Sequence, residues 1–283
     1  MIAFWRGSVV YVGRLPDLPL HAHLAAAVCA GLDGAIEIRG QGLAEWSACR
    51  SALIPPGAEH ELRTKGGRFG TVLTEPGAAN EWNPASNFAE DAGSDDPIEV
   101  DPESGAKVAA GLRALADSLE STAGRAGDGV DTELESTLSA MLGPAQTSAA
   151  GRSEMDPRLL RVIEFLLQAP ADAPDVVELA AAIDMSPSWL QHNFRKRIGV
   201  PIRRFRTFFR LKAAACFMRD GASMVAAALD AGFYDQSHFS NAFRGMFGIQ
   251  PGLVLSGEEH IRWYIDDESL VKDFADRDLL HLA

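Results

Sequence analysis

The sequence predicts an α+β protein of two domains, a β-rich N-terminal half followed by an all-helical C-terminal region. Three observations carry this. The chain has 283 residues, about twice the common size of one domain. Its first 76 residues hold short apolar runs broken by Gly, Pro and Asp, whereas from Pro157 onward apolar residues recur at helical spacing. Hydrophobic residues make up 47% of the chain, enough for one or two real cores, which excludes a disordered or collagen-like chain.

The elements follow in order. Runs at 9–12, 35–38, 52–54 and 69–73 read as strands, punctuated by Gly13, Gly34, Pro55-Pro56-Gly57 and Gly66-Gly67. Short strands at this spacing suit a small sandwich or barrel. Residues 76–105 are rich in Pro, Gly, Ser, Asn and acid and read as loop. A helix over about 101–121 is predicted by Val108, Leu112, Leu115 and Leu119, and another over about 131–142 by Leu134, Leu138, Met141 and Leu142. Residues 143–153 have linker composition. The expected division is a sensing domain over 1–145, a linker over 146–156, a helical domain over 157–257 and an acidic tail over 258–283.

In the helical region, Leu159, Leu160, Ile163, Leu166 and Leu167 define a first helix that ends before Pro170. A short helix over 176–183 follows. Ser186 as N-cap and Pro187 behind it open a helix that runs to Ile198 and stops at Gly199. Pro201 opens a long helix to Asp220. Ser223 caps a short helix to Asp230, Ala231-Gly232 turns the chain, and Asp235 opens a last helix to Phe247, ended by Gly248.

This region contains an internal repeat. Leu190, Phe194 and Ile198 sit at i, i+4, i+8 in one helix, and Phe239, Phe243 and Phe247 do the same in another. Each stripe seats its helix on a core. A short apolar helix precedes each, carrying Val177, Leu179, Ala180 and Ile183 in the first case and Val225, Ala226 and Leu229 in the second. Short helix, tight turn and longer helix make a helix-turn-helix unit, and two such units joined by a long helix make a bipartite reader. With the apolar stripes inward, Ser188, Gln191, His192 and Arg195 face outward in the first unit, and Gln236, Ser237, Ser240, Asn241 and Arg244 are the contact candidates of the second. Gln and Asn suit adenine, Arg suits guanine or phosphate, and Ser suits either.

Taken as a whole-chain sum, the net charge of −13 argues against nucleic acid. It conceals an asymmetry. Residues 1–156 hold 11 basic against 23 acidic side chains, 157–257 hold 12 against 8, and 258–283 hold 3 against 8. Arg195, Lys196, Arg197, Arg203, Arg204, Arg206, Arg210 and Lys212 fall in one block without an acid among them. Phosphate binding follows local sign, so double-stranded DNA is the expected partner of this region, with Arg203 and Lys212 turned to phosphate or solvent.

Here a resemblance becomes specific. The stretch 205–218 (FRTFFRLKAAACFM), with Arg210-Leu211 and Ala214, is similar to the linker helix of the AraC/XylS family of bacterial transcription regulators. The stretch 231–240 (AGFYDQSHFS), followed by Phe243-Arg244, Phe247-Gly248 and Pro251, resembles the family's signature. Leu179-Ala180, Ser186, Leu190, Phe194 and Gly199 match the first unit. Two departures stand out: Asn241 occupies a place where the family often has Arg, and Gly252 to Ser256 replaces the Tyr-Arg usual after the final Pro. The resemblance implies a double helix-turn-helix domain over 157–257 and a cupin-like β-barrel before it that senses a small effector and dimerises. It also implies RNA polymerase as a partner if the protein activates transcription.

The N-terminal half agrees loosely. His21-Ala22-His23 and the run ending in His60 resemble the two metal-bearing motifs of cupins, but residues 24–28 supply no carboxylate after the His pair. No metal, no cofactor and no enzymatic activity are therefore expected. His21, His23, Trp46 and His60 remain candidates for an effector pocket; Trp5, Trp46 and Trp82 could line such a pocket, but aromatic residues dominate cores and the core reading is favoured for them. The three cysteines, Cys29, Cys49 and Cys216, form no CxxC pair, which suits a reducing cytoplasm. No apolar run is long enough to span a membrane, and residues 18–32, with His21 and His23 and no basic start, do not read as a signal peptide. The leading expectation is a cytoplasmic, dimeric, DNA-binding transcription regulator governed by a small molecule. The alternatives are a metal-dependent cupin enzyme fused to a DNA reader, with His21, His23 and His60 as ligands, and a regulator governed by a protein partner.

Overall fold

A computed structural model describes residues 2–5, 8–24, 26–74, 97–99, 102–121, 136, 156–168, 170–255 and 263–265. Apart from residues 136 and 156, the expected helix over 131–142 and the linker over 146–156 lie outside these residues, as does most of the acidic tail.

The N-terminal half is built from β1 (Ile2–Trp5), β2 (Ser8–Arg14), β3 (Leu18–Ala22), β4 (Ala27–Gly31), β5 (Ile36–Gly40), β6 (Ser47–Cys49), β7 (Ser51–Ile54), β8 (Glu59–Arg63), β9 (Arg68–Thr74) and β10 (Ile98–Glu99). A late strand, β11 (Trp263–Ile265), returns to it. They form a seven-stranded sheet in the order β10-β7-β4-β9-β2-β1-β11 and a four-stranded sheet in the order β3-β8-β5-β6. Pairing is antiparallel throughout except between β1 and β11, which run parallel. The expected barrel is thus two antiparallel sheets, neither closed on itself. Pro19 lies in β3, where its missing N–H suits an edge strand and halts further pairing.

Sequence alone missed β4, because Ala-Val-Cys-Ala-Gly does not alternate. Every one of its residues is buried, with β7 on one side and β9 on the other. Helix α1 (Pro102–Ser121) lays Val108, Leu112 and Leu115 against the seven-stranded sheet. Its apolar face is therefore spent within the subunit.

The C-terminal region comprises α2 (Pro157–Gln168), α3 (Val176–Ala181), α4 (Pro187–Ile198), α5 (Ile202–Arg219), α6 (Met224–Asp230), α7 (Gln236–Phe247) and α8 (Pro251–Leu255). Helix α5 is the spine, burying Phe205, Phe208, Phe209, Leu211 and Ala214. One hydrophobic core runs without a break from Leu62 and Leu73 in the sheets to Phe208 and Ile249 among the helices. No helix among the described residues is long and apolar enough to cross a membrane.

Candidate nucleic-acid interface and an adjoining cavity

The first helix-turn-helix unit is α3 and α4. Asp175 accepts from the amides of Val177 and Glu178 at 2.8 and 2.9 Å, and Glu178 accepts from the Asp175 amide at 2.9 Å, a reciprocal capping box. The turn is closed by the Met185 amide donating to the Ala180 carbonyl at 2.9 Å. Ser186 Oγ then accepts from the Trp189 amide at 3.1 Å and starts α4. Leu190, Phe194 and Ile198 are buried as the spacing predicts, and Ser188, Gln191, His192 and Arg195 are exposed along the opposite face.

The second unit, α6 and α7, repeats these bonds. Ser223 Oγ accepts from the Ala226 amide at 3.2 Å, the Phe233 amide donates to the Ala228 carbonyl at 2.9 Å, and Asp235 accepts from the His238 amide at 2.7 Å. Gln236, Ser237, Asn241 and Arg244 are exposed, and Ser240 is half-buried. The core face of α7 consists of Phe239, Phe243 and Met246; Phe247, expected there, is half-buried. The short helices differ from expectation too. Leu179, Ala180, Ala227 and Ala228 are buried, but Val177, Val225 and Leu229 face outward.

The basic block is not one surface. Arg195, Lys196 and Arg203 are exposed. Arg210 is turned inward, its Nε and an Nη donating to the carbonyls of Pro170 and Ala171 at 2.9 and 2.8 Å. Arg206 reaches the Pro174 carbonyl at 3.5 Å. Lys212, expected at phosphate or solvent, is only 2% exposed and lines a cavity. The reason is helical phase: Lys212 follows Phe208 and Leu211 on the buried face of α5.

That cavity, about 90 Å³, lies between the sheets and the helical region. Val9, Leu62 and Leu73 line it from the sheets, and Phe208, Phe243 and Phe247 from the helices. His21, His23 and His60 meet at its wall, with ring centroids 4.2 to 4.9 Å apart. Trp46, the fourth effector candidate, is not in this wall; Arg39 and Arg63 flank its ring at 4.6 and 3.9 Å. Strand pairing sets His21 directly opposite His60, and the His-x-His alternation is broken by the chain leaving β3 at Ala22.

Each of the three rings bonds a backbone carbonyl through Nδ1: His21 to Pro19 at 2.8 Å, His60 to Ala58 at 2.9 Å, and His23 to Met246 at 3.0 Å. A carbonyl only accepts, so each Nδ1 carries the proton and each Nε2 presents a lone pair. Nε2 of His21 and His60 is buried without a partner, a condition that costs about 1–3 kcal/mol per group. Burial holds all three imidazoles below the ordinary histidine value, His60 down to about 3, with repulsion from neighbouring rings adding for His23 and His60. The rings are therefore neutral near pH 7. Cys29, by contrast, is pushed well up by burial, which makes it a poor nucleophile.

Comparison with known proteins bears on this region most directly. A family model described as a helix-turn-helix domain matches residues 179–256. The regulator MtrA of Neisseria gonorrhoeae is 29% identical over 98 residues, 34% of this chain and 33% of that protein. A putative AraC-like transcription regulator of Streptomyces antibioticus is 33% identical over 98 residues, 34% of this chain and 32% of that one. The match thus spans about a third of the length of these curated relatives. In overall fold the chain is similar to ToxT from Vibrio cholerae O395, with 8% identity and a TM-score of 0.51 over 91% of this chain and 100% of that one. ToxT bound to (E)-4-(8-methylnaphthalen-1-yl)but-3-enoic acid gives 10% identity and 0.50 over 88% and 98%. Two capped helix pairs with the same bond closing both turns agree with that match, and residues 179–256 are a helix-turn-helix domain.

Proposed function

We propose that the chain is a sequence-specific, DNA-binding transcription regulator in which α4 and α7 enter successive major grooves about 34 Å apart on one face of a duplex. The observation that carries this is the matched pair of exposed polar faces. On α4 they are Ser188, Gln191, His192 and Arg195; on α7 they are Gln236, Ser237, Asn241 and Arg244, with Ser240 at the margin. Domain limits of 1–145 and 157–257 suit this division of labour, as do a cupin-like ancestry for the two sheets, a cytoplasmic location, homodimerisation and contact with RNA polymerase in activation. Footprinting of the full chain on a duplex selected from a randomised pool tests the reading. Two protected blocks about one helical turn apart per chain are expected; a single block overturns it.

The effector is an apolar molecule with an anionic end. The cavity supports this, being walled by aliphatic and phenyl groups with Lys212 among them. The acid in the ToxT complex has the same combination, a naphthyl body and a carboxylate. A change in thermal midpoint with an aryl alkenoic acid, abolished in Lys212→Met, is the expected result.

A further inference from the structure

We propose that His21, His23 and His60 form a divalent transition-metal site whose ligands are clamped to the C-terminal end of recognition helix α7, so that metal occupancy and the seating of α7 are one equilibrium. Sequence weighed against a metal because the expected carboxylate is missing. The structure supplies what sequence lacks, the direction of each ring.

All three rings are fixed by an Nδ1–H bond to a backbone carbonyl, the outer support that metal-binding imidazoles ordinarily have. Each bond leaves Nε2 as the ligand atom. The ligand nitrogens of the three lie within 4.8 Å of one another. A tetrahedral ion with bonds of about 2.1 Å needs its nitrogens about 3.4 Å apart, so binding must draw the rings together. Two Nε2 atoms are buried without a partner, which an ion would provide. Three neutral imidazoles without a carboxylate or thiolate suit Zn²⁺ and its neighbours, not Ca²⁺ or Mg²⁺. The cavity beside them leaves room for a water or an effector group as fourth ligand.

Two of the three ligands also hold α7. His23 donates to the carbonyl of Met246, which lies in the last turn of α7. The His21 ring lies beneath Gly248, the left-handed residue that ends the helix; a Cβ there would stand 2.7 to 2.9 Å from its Nδ1, Cε1 and Cγ. Rings drawn inward by a metal must therefore carry the end of α7 with them, and a displaced α7 must spoil the ligand geometry. Coupling of this kind is reciprocal. The consequence for DNA rests on the reading of α7 as a recognition helix; the metal site itself does not.

The test uses the full chain, stripped with chelator, and Co²⁺ as the probe. One Co²⁺ per chain with a visible absorption band, displaced by Zn²⁺, is expected. His21→Gln and His60→Gln should each weaken binding at least tenfold, and Gly248→Ala, outside the ligand strands, should weaken it several-fold by crowding His21. Absence of stoichiometric Co²⁺ and Zn²⁺ binding in the wild-type chain overturns the site, whatever the variants do. Undiminished Co²⁺ affinity in Gly248→Ala overturns the coupling. Binding of a selected duplex is then compared with and without Zn²⁺, where a several-fold difference confined to the α7 block is expected. Loss of all DNA binding with metal binding intact would count against the DNA reading and leave the site standing.

Discussion

The two helix-turn-helix units share a plan and differ in their surroundings. Their recognition helices are of equal length, 12 residues each, and their turns close with the same bond, Met185 to Ala180 in one and Phe233 to Ala228 in the other. Four residues after each of those alanines the chain turns left-handed, at Asp184 with φ 54° and at Gly232 with φ 82°. The first is exposed and keeps a side chain. The second lies against α2's exit, where a Cβ would meet the Ala171 backbone at 2.6 Å. No cavity-lining residue comes from α3 or α4, whereas Phe243 and Phe247 of α7 and Ile249 just beyond it line the cavity. One unit stands clear of the cavity. The other packs on β3 and helps wall the cavity.

Removal of ring volume should separate the two most strongly. Phe194→Ala, at a fully buried site in the first unit, should cost about 3–5 kcal/mol of stability. Phe243→Ala, its counterpart in the second, should cost roughly half as much, because one side of that ring already faces the cavity. Urea denaturation of both variants checks this; equal losses would mean the cavity wall is packed as tightly as the core.

A smaller contrast is expected at the two left-handed residues. Gly232→Ala should destabilise by about 2–4 kcal/mol, since strain and a backbone clash add. Asp184→Gly should stay within about 1 kcal/mol of the parent, trading left-handed strain for chain entropy. Thermal melts followed by circular dichroism decide it.

On DNA, Gln191→Ala and Asn241→Ala should each lose about 1–3 kcal/mol at the true site and relax preference at one block only. Competition between a selected duplex and a scrambled one is the measurement, and equal weakening on both duplexes sinks the assignment of reading faces. The smallest contrast between the units belongs to the caps. Ser186→Ala and Asp235→Ala should each cost about 1 kcal/mol, nearly alike, because each side chain satisfies one amide at the start of its helix.

The helical half was legible because its signals are local. Ser186, Ser223 and Asp235 act as the caps that the sequence predicts, and Gly199 and Gly248 end their helices left-handed. The sheets were harder. The runs at 9–12, 52–54 and 69–73 fall within strands, but β8 hides its alternation behind His60, a polar residue that points inward between Glu59 and Glu61. The exposed faces of α4 and α7 followed from periodicity alone. The inward turn of Lys212 was written in the same periodicity, behind Phe208 and Leu211, but its charge argued for the surface; the junction of the histidines with Met246 was not legible, because His23 and Met246 lie 223 positions apart.

One pairing reaches further still. Ile2, Ala3 and Phe4 of β1 lie beside Trp263, Tyr264 and Ile265 of β11. A chain emerging from the ribosome makes the edge of this sheet first and its covering strand after every recognition helix has been synthesised. Loop closure over such a span is slow, and until it occurs β1 offers a bare edge to any passing strand. Synthesis of the reader is thus enclosed in time between two halves of one ribbon. A chain cut after α8 should fold faster, yet associate through β1.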